Sequence, residues 1–270
     1  KYEAAYDMLD AMRKTLSGNP ADEFKATEIL VWQAELRTGL GGFEQGAELL
    51  RTAPWPQGFL ARSLRGMVYG QALLTYGREY SYQIRRRTKI ISEKALSIGE
   101  MSSDQILAAA MQCFQRVFQV RSEFNRTSAD ALGRVFKSGT YPQCIRSSLR
   151  DFVSYRATEL LADHTHWDPA ESNELFRLGL VRLLGEKPAG DSFTLDDAGL
   201  HPLIRLCAVL DDLERWHRTE GRRESALEAR LERIRRLLSA FHGDDYAGER
   251  ASLEEHLKEV LHQHSDLPWS

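Results

Sequence analysis

The sequence is poor in residues that interrupt helices, favour strands or crosslink chains. It contains 8 prolines and 3 cysteines in 270 residues. Valine and isoleucine are also sparse beside leucine, alanine, glutamate and arginine, and this composition favours helix over strand. The cysteines lie far apart and form no C-x-x-C pair, so neither a disulfide framework nor a zinc site is indicated. The sequence therefore predicts an all-α fold with unpaired, buried thiols at Cys113, Cys144 and Cys207.

The chain also lacks an excess of one charge and a long apolar run. The 36 Lys and Arg against 39 Asp and Glu give a net charge of -3, which argues against a dedicated nucleic-acid binder. No run of 18 apolar residues is present, so no membrane insertion is predicted. The start, KYEAAYDML, does not begin with methionine and is not a signal peptide. Because it begins within a helical pattern, we expect the chain to be a piece of a longer protein.

The longest helical pattern covers residues 59–91, where apolar residues recur every three or four positions without a proline. A single helix of this length would measure about 50 Å and could serve as a long central helix for shorter ones. Gly66, Gly70 and Gly77 each cost about 1 kcal/mol relative to alanine inside a helix. Such glycines permit a kink or the close approach of another helix.

Shorter helical patterns stand on both sides of this segment. Residues 42–54 combine a glycine turn, an aromatic, a small residue and a leucine before proline, as in the second helix of a tetratricopeptide hairpin. The sequence thus predicts stacked antiparallel helix hairpins in a tetratricopeptide-like α-solenoid, in which each pair covers its neighbour's apolar face. The other predicted helices cover residues 2–16, 21–38, 106–120 (capped by Ser102 or Ser103 with Asp104), 142–164 (opened by Pro142) and 169–184.

Proline, glycine and acidic residues at 187–200 predict a boundary between two parts of the chain. The front part, 1–190, is expected to be a helical array, and the rear part, 191–270, to be three helices packed on it. Apolar residues at four-three spacing in the rear part predict shallow, nearly antiparallel packing. Two acid-first pairs four residues apart are expected to support its helices: Glu214 with Arg218, and Glu232 with Arg236.

One short segment has the residue types of a metal site. Residues 163–168 carry two imidazoles and two carboxylates, and a metal enzyme using His164 and His166 would explain them. The spacing is wrong for a His-Glu-x-x-His site, however, and a polar helix end explains the same residues. No nucleophile elbow or glycine-rich phosphate loop is recognisable either. We therefore predict no catalytic residue, no metal site and no cofactor.

Arginine and tyrosine concentrate at the end of the predicted long helix, at residues 76–87. Such residues can hold phosphates or stack on bases, but three consecutive arginines point in different directions around a helix, so no nucleic acid is predicted. Pairing of the arginines with Glu79, Glu93 and Glu100 is the alternative role. The residues predicted to bind a partner protein or domain are Trp55, Tyr80, Arg85 and Arg86.

Three stretches, in this order, resemble the N-terminal helical region of large bacterial alpha-2-macroglobulin family proteins. They are residues 61–88 with the Arg87–Thr88 pair, residues 148–164 with the Asp151–Phe152 and Arg156–Ala157 pairs, and residues 203–217 followed by 227–238. The resemblance implies a large, exported bacterial protein that traps proteases through a bait region and, in many members, an internal thioester. No cysteine here is followed by x-Glu-Gln, so no reactive residue of the family can be placed.

For this chain the resemblance implies a non-catalytic scaffold or interaction segment in the periplasm or outside the cell. Its partners would be other domains of the parent chain or another protein. The alternative is a free-standing tetratricopeptide-like adaptor that binds a protein or peptide in the cytoplasm. Replacing Trp55 with alanine is expected to leave helicity nearly unchanged while weakening association with the partner.

Overall fold

The computed structural model describes residues 2–16, 19–87, 96–136, 141–142, 144–190 and 192–268. These residues form twelve α-helices and no β-strand, apart from an isolated bridge between Ser128 and Ser148. The predicted all-α fold is confirmed. The helices are α1 (Tyr2–Leu16), α2 (Glu23–Gly39), α3 (Phe43–Thr52), α4 (Phe59–Glu79), α5 (Ser81–Ile84), α6 (Ser103–Gln119), α7 (Leu149–Ala162), α8 (Pro169–Glu174), α9 (Leu180–Leu184), α10 (Pro202–Thr219), α11 (Arg223–Ala240) and α12 (Ala247–Gln263).

The chain forms two compact units. The first unit comprises Lys1–Val120 and Asp130–Ser138, and the second comprises Arg121–Ala129 and Gly139–Ser270. The boundary predicted at residues 187–200 lies inside the second unit. There α10 packs on α7 as well as on α11, so the three rear helices share a unit with α7.

In the first unit, neighbouring helices pack on one another in chain order from α1 to α4, and α6 packs along α4. The contact between α4 and α6 is close because α4 has glycines there. A Cβ atom at Gly70 would lie 2.9 Å from a ring carbon of Phe114, and one at Gly66 would lie 3.2 Å from Val117 Cγ2. Of the two possibilities left open for these glycines, a kink or the close approach of a second helix, the structure has the close approach at Gly66 and Gly70.

The single long helix predicted over residues 59–91 is wrong. α4 ends at Glu79, Tyr80 leaves the helix, and α5 follows at once. The part of the prediction beyond residue 87 lies outside the described residues. The 21 residues of α4 span about 32 Å. Packing explains the break, because the ring of Tyr80 lies against Tyr76 and Phe43 while α5 carries Ile84 into the core.

In the second unit, α7 begins at Leu149 and not near Pro142 as predicted. Backbone pairing delays the start: Leu149 N–H donates to Thr127 O at 2.7 Å, and Ala129 N–H donates to Ser147 O at 3.0 Å. Ser148, directly before α7, is therefore held extended. Residues 169–184 likewise form α8, a 3₁₀ turn and α9 instead of one helix. The three predicted rear helices are confirmed as α10, α11 and α12.

None of the helices in the described ranges contains a stretch that is long and apolar enough to cross a bilayer.

Candidate functional site

The four residues predicted to bind a partner do not share one surface. Trp55 precedes the first residue of α4, whereas Tyr80, Arg85 and Arg86 follow its last residue. The length of α4, about 32 Å, separates the two places. Each place therefore has to be described for itself.

Trp55 covers a buried cation. Its ring lies 4.1 Å from the guanidinium carbon of Arg65, and 40% of the residue remains exposed. Burial lowers the pKa of Arg65 to about 10. The Arg65 guanidinium donates to carbonyl groups at and after the end of α3, namely those of Leu50, Ala53 and Pro54. Trp55 thus helps to cap α3, and only part of its ring is free for a partner.

The other three residues lie with Tyr82 at the end of α4 and on α5. Tyr82 is 73% exposed, and the guanidinium carbon of Arg86 lies 5.4 Å from its ring centroid. Arg86 Nη1 also lies 3.3 Å from Tyr82 Oη. Arg85 is exposed and Tyr80 is half-buried. We call Tyr80, Tyr82, Arg85 and Arg86 the Tyr82 cluster.

Buried neighbours support the Tyr82 cluster. The centroid of the Tyr80 ring lies 5.1 Å from that of Tyr76 and 6.2 Å from that of Phe43. Tyr76 is buried, and burial raises its pKa. Arg87 donates to Tyr76 Oη at 3.1 Å and to the carbonyl oxygen of Met101 at 3.2 Å. The backbone that presents Tyr82 is therefore fixed from two sides.

The chemistry of the cluster suits recognition of a protein surface. Tyrosine and arginine are enriched among residues that dominate binding energy at interfaces. An arginine fork binds carboxylates in two-point fashion, and a tyrosine ring contributes apolar area with few rotatable bonds. Of the acids predicted to pair with the arginines, Glu100 instead accepts hydrogen bonds from Ser97, which lower its pKa. Glu93 lies outside the described residues.

The His164–His166 segment forms a 3₁₀ turn just after the end of α7. The His164 ring stacks on Trp167 with centroids 4.0 Å apart, whereas His166 Nε2 lies 3.5 Å from Asp163 Oδ2. Asp163 accepts hydrogen bonds from the backbone and hydroxyl of Thr165. Within the described ranges no three His, Cys, Asp or Glu side chains are grouped so that they could hold a metal ion.

Sequence reasoning missed a set of buried hydrogen bonds and ion pairs in the second unit. His217 Nε2 lies 2.7 Å from Asp151 Oδ1, and both side chains are fully buried. Asp212 accepts two hydrogen bonds from Arg121 at 2.8 and 2.9 Å and one from Arg150 at 2.9 Å. Burial would raise the pKa of Asp212, but the two arginines outweigh it and hold the pKa below its ordinary value.

A second set of buried charges joins α7 and the segment before it to α10 and α11. Arg146 donates to Glu228 at 2.6 Å and is stacked between the rings of Tyr141 and Tyr155, each centroid 3.5 Å away. Arg230 pairs with Glu214 at 2.8 Å. Because removing one partner of a buried pair leaves an uncompensated charge, we expect these pairs to disfavour helix arrangements that separate them.

Comparison of the chain with protein-family models, curated proteins and solved structures finds no match. The features that bear on function are thus the all-α fold, the buried ion pairs and the exposed Tyr82 cluster.

Proposed function

We propose that this chain is a non-catalytic helical scaffold and interaction segment of a bacterial alpha-2-macroglobulin-like protease inhibitor. Trapping of the protease would be carried out by other domains of the parent protein, in the periplasm or outside the cell. The all-α fold supports this proposal, because the resemblance of residues 61–88, 148–164, 203–217 and 227–238 implies a helical region. The chain would hold neighbouring domains through the Tyr82 cluster, which fits a surface with carboxylates and apolar groups.

The exposure of Tyr82 carries the proposal. Tyr82 is 73% exposed, and its ring lies next to Arg86 on a segment that buried neighbours support. A partner surface can therefore cover this ring. Covering it would contribute roughly 2 kcal/mol from apolar area alone. Little side-chain entropy would be lost, since a tyrosine side chain has only two rotatable bonds to fix.

The coding sequence after Ser270 tests the assignment directly. A continuation into long strand-rich domains would support the inhibitor, because the helical region of that family is followed by such domains. A stop codon immediately after Ser270 would contradict it and favour the free-standing adaptor. In that case the Tyr82 cluster would bind a separate protein or peptide.

The role of the Tyr82 cluster is tested by the double substitution Tyr82→Ala/Arg86→Ala. We expect binding of the purified chain to the remainder of the parent protein, measured by isothermal titration calorimetry, to weaken by about 10-fold or more. Circular dichroism should show unchanged helicity, since both side chains are exposed.

The second unit offers a matched control. Phe176 is 65% exposed, and the guanidinium carbon of Arg177 lies 5.3 Å from its ring centroid, so this pair repeats the same chemistry elsewhere. The variant Phe176→Ala/Arg177→Ala should bind like the unmodified chain. Equal affinities for both double variants, or loss only in the control, would contradict the role of the Tyr82 cluster.

A further inference from the structure

Helix α1 packs on α2 with only one of its faces. The ring of Tyr6 lies 4.2 Å from the guanidinium carbon of Arg37 on α2. Asp10 accepts a hydrogen bond from Gln33 of α2 at 3.3 Å and a second one from Arg13. Tyr6, Asp10 and Arg13 fall on one side of a helix with 3.6 residues per turn. This side of α1 therefore packs on α2.

The opposite side of α1 is exposed and apolar. Met8 is 60% exposed and Met12 is 41% exposed. Ala4, Met8, Ala11 and Thr15 follow one another at four-three-four spacing, which is the spacing of the two core positions of a coiled coil. The hydroxyl of Thr15 donates to Met12 O at 2.7 Å, so its methyl group can enter an apolar contact without leaving a polar group unpaired. We call Ala4, Met8, Ala11, Met12 and Thr15 the α1 stripe.

The α1 stripe is complementary to itself when two copies run in opposite directions. In an antiparallel pair the two core positions of each heptad face each other in alternation. Met8 then lies opposite Ala11 of the second copy, and Ala4 lies opposite Thr15. A large side chain meets a small one in the two central layers. Because each of these layers holds one large and one small side chain, the layers have similar volumes, and the two helices can approach closely.

Charge favours the same orientation. Asp7 and Lys14 are one heptad apart on one edge of the α1 stripe, at the position that faces its own equivalent in an antiparallel coiled coil. Asp7 therefore meets Lys14 of the second copy, and symmetry repeats the pair. A parallel arrangement would place Asp7 level with Asp7. Lys14 contacts Asp10 at 2.7 Å but keeps 74% of its side chain exposed, which leaves room for a second carboxylate.

We propose that two copies of this chain associate through an antiparallel pairing of their α1 stripes. Helix α1 has 15 residues and is about 22 Å long, so the buried area falls below that of permanent dimers. The dimer is accordingly weak and depends on protein concentration. This association is separate from the Tyr82 cluster and does not depend on the proposed function.

Sedimentation velocity of the full chain over a range of concentrations provides the first test. We expect a rapid monomer–dimer equilibrium that Met8→Glu abolishes, because the substitution places a carboxylate in the apolar centre of the pair. Val181 is 91% exposed on α9, so Val181→Glu makes the same chemical change elsewhere and should leave the equilibrium unchanged. A chain that is monomeric at every concentration, or one whose dimer survives Met8→Glu, overturns the proposal.

Charge reversal tests the orientation. Asp7→Lys and Lys14→Asp each create like-charge contacts in the antiparallel pair, and each should weaken the dimer by about 10-fold. The double variant Asp7→Lys/Lys14→Asp restores opposite charges and should restore the dimer. If the charges acted only through the stability of α1, the double variant would instead associate least well. A lysine in the first half of the helix and an aspartate in its last turn both oppose the helix dipole. A double variant that associates no better than the single variants overturns the antiparallel pairing.

Discussion

At the scale of single residues, Asp151 makes contacts with both Ser148 and His217, and a single substitution removes both. Its Oδ2 accepts hydrogen bonds from Ser148 N–H at 2.9 Å and from Ser148 Oγ at 2.7 Å, while Oδ1 lies 2.7 Å from His217 Nε2. Asp151→Ala should lower the free energy of unfolding by roughly 3–5 kcal/mol, because it breaks a buried pair. Urea unfolding followed by circular dichroism measures this loss.

Two further substitutions, Asp151→Asn and Asp163→Ala, serve as comparisons for Asp151→Ala. Asp151→Asn keeps the shape and one acceptor oxygen, so it should cost less than alanine does. Asp163→Ala removes a more exposed cap at the start of a 3₁₀ turn and should cost about 1 kcal/mol. If Asp151→Ala costs no more than Asp163→Ala, the buried contact with His217 contributes nothing beyond an ordinary cap.

Residue pairs that are close in the sequence were predictable, and distant ones were not. The predicted pairs of Glu214 with Arg218 and of Glu232 with Arg236 are confirmed. The partner of Asp151 is 66 residues away along the chain. A helical repeat shows which residues share a face, but it carries no information on which carboxylate meets which base across two helices.

At the scale of helices, Arg65 of α4 determines how α3 ends. Its buried guanidinium supplies donors for carbonyl groups that have no partner within α3, and Trp55 shields it from water. Arg65→Met should therefore lower the free energy of unfolding by about 2–4 kcal/mol, since it leaves these buried acceptors unpaired. Thermal unfolding followed by circular dichroism checks this value.

Trp55→Ala acts on the same contact from outside. Removing the ring should cost about 1–2 kcal/mol by exposing Arg65 and ending the cation–π contact, with little change in helicity at low temperature. The structure thus adds a loss of stability to the loss of partner binding expected from the sequence. If Trp55→Ala and Arg65→Met both unfold at the temperature of the unmodified chain, this end of α3 does not need them.

Helix boundaries could be predicted where local signals define them. The predicted limits of the first helix, 2–16, are those of α1, and of the two serines predicted to cap α6, Ser102 accepts a hydrogen bond from Gln105 N–H. The long helix and the start near Pro142 were wrong because distant contacts override the local pattern. Tyr80 turns toward Phe43, and Leu149 pairs with Thr127. For the same reason the sequence named most of the Tyr82 cluster but not the support that fixes it.

At the scale of the whole chain, histidine is confined to the second unit. All 8 histidines lie between residues 164 and 264 of the sequence, and the first unit has none. Burial lowers the pKa of several of them, among them His164, His201, His256 and His264. His201 also has a geometric reason to stay neutral, because its Nδ1 accepts from Leu203 N–H while Nε2 contacts Glu171 O.

Mild acid should therefore weaken the second unit selectively. A histidine whose pKa is lower in the folded state contributes its full stability above its unfolded pKa of about 6.5 and loses it as the pH falls toward the folded value. Burial raises the pKa of Glu28 and Glu35 in the first unit, so acid acts there with the opposite sign.

Hydrogen exchange by mass spectrometry at about pH 7.5 and about pH 5.5, corrected for intrinsic rates, should show protection falling in peptides of the second unit only. His201→Asn keeps a capping acceptor that does not titrate and should reduce this difference. Equal loss of protection in both units, or an unchanged difference in His201→Asn, would show that histidine protonation does not set the acid sensitivity of the second unit.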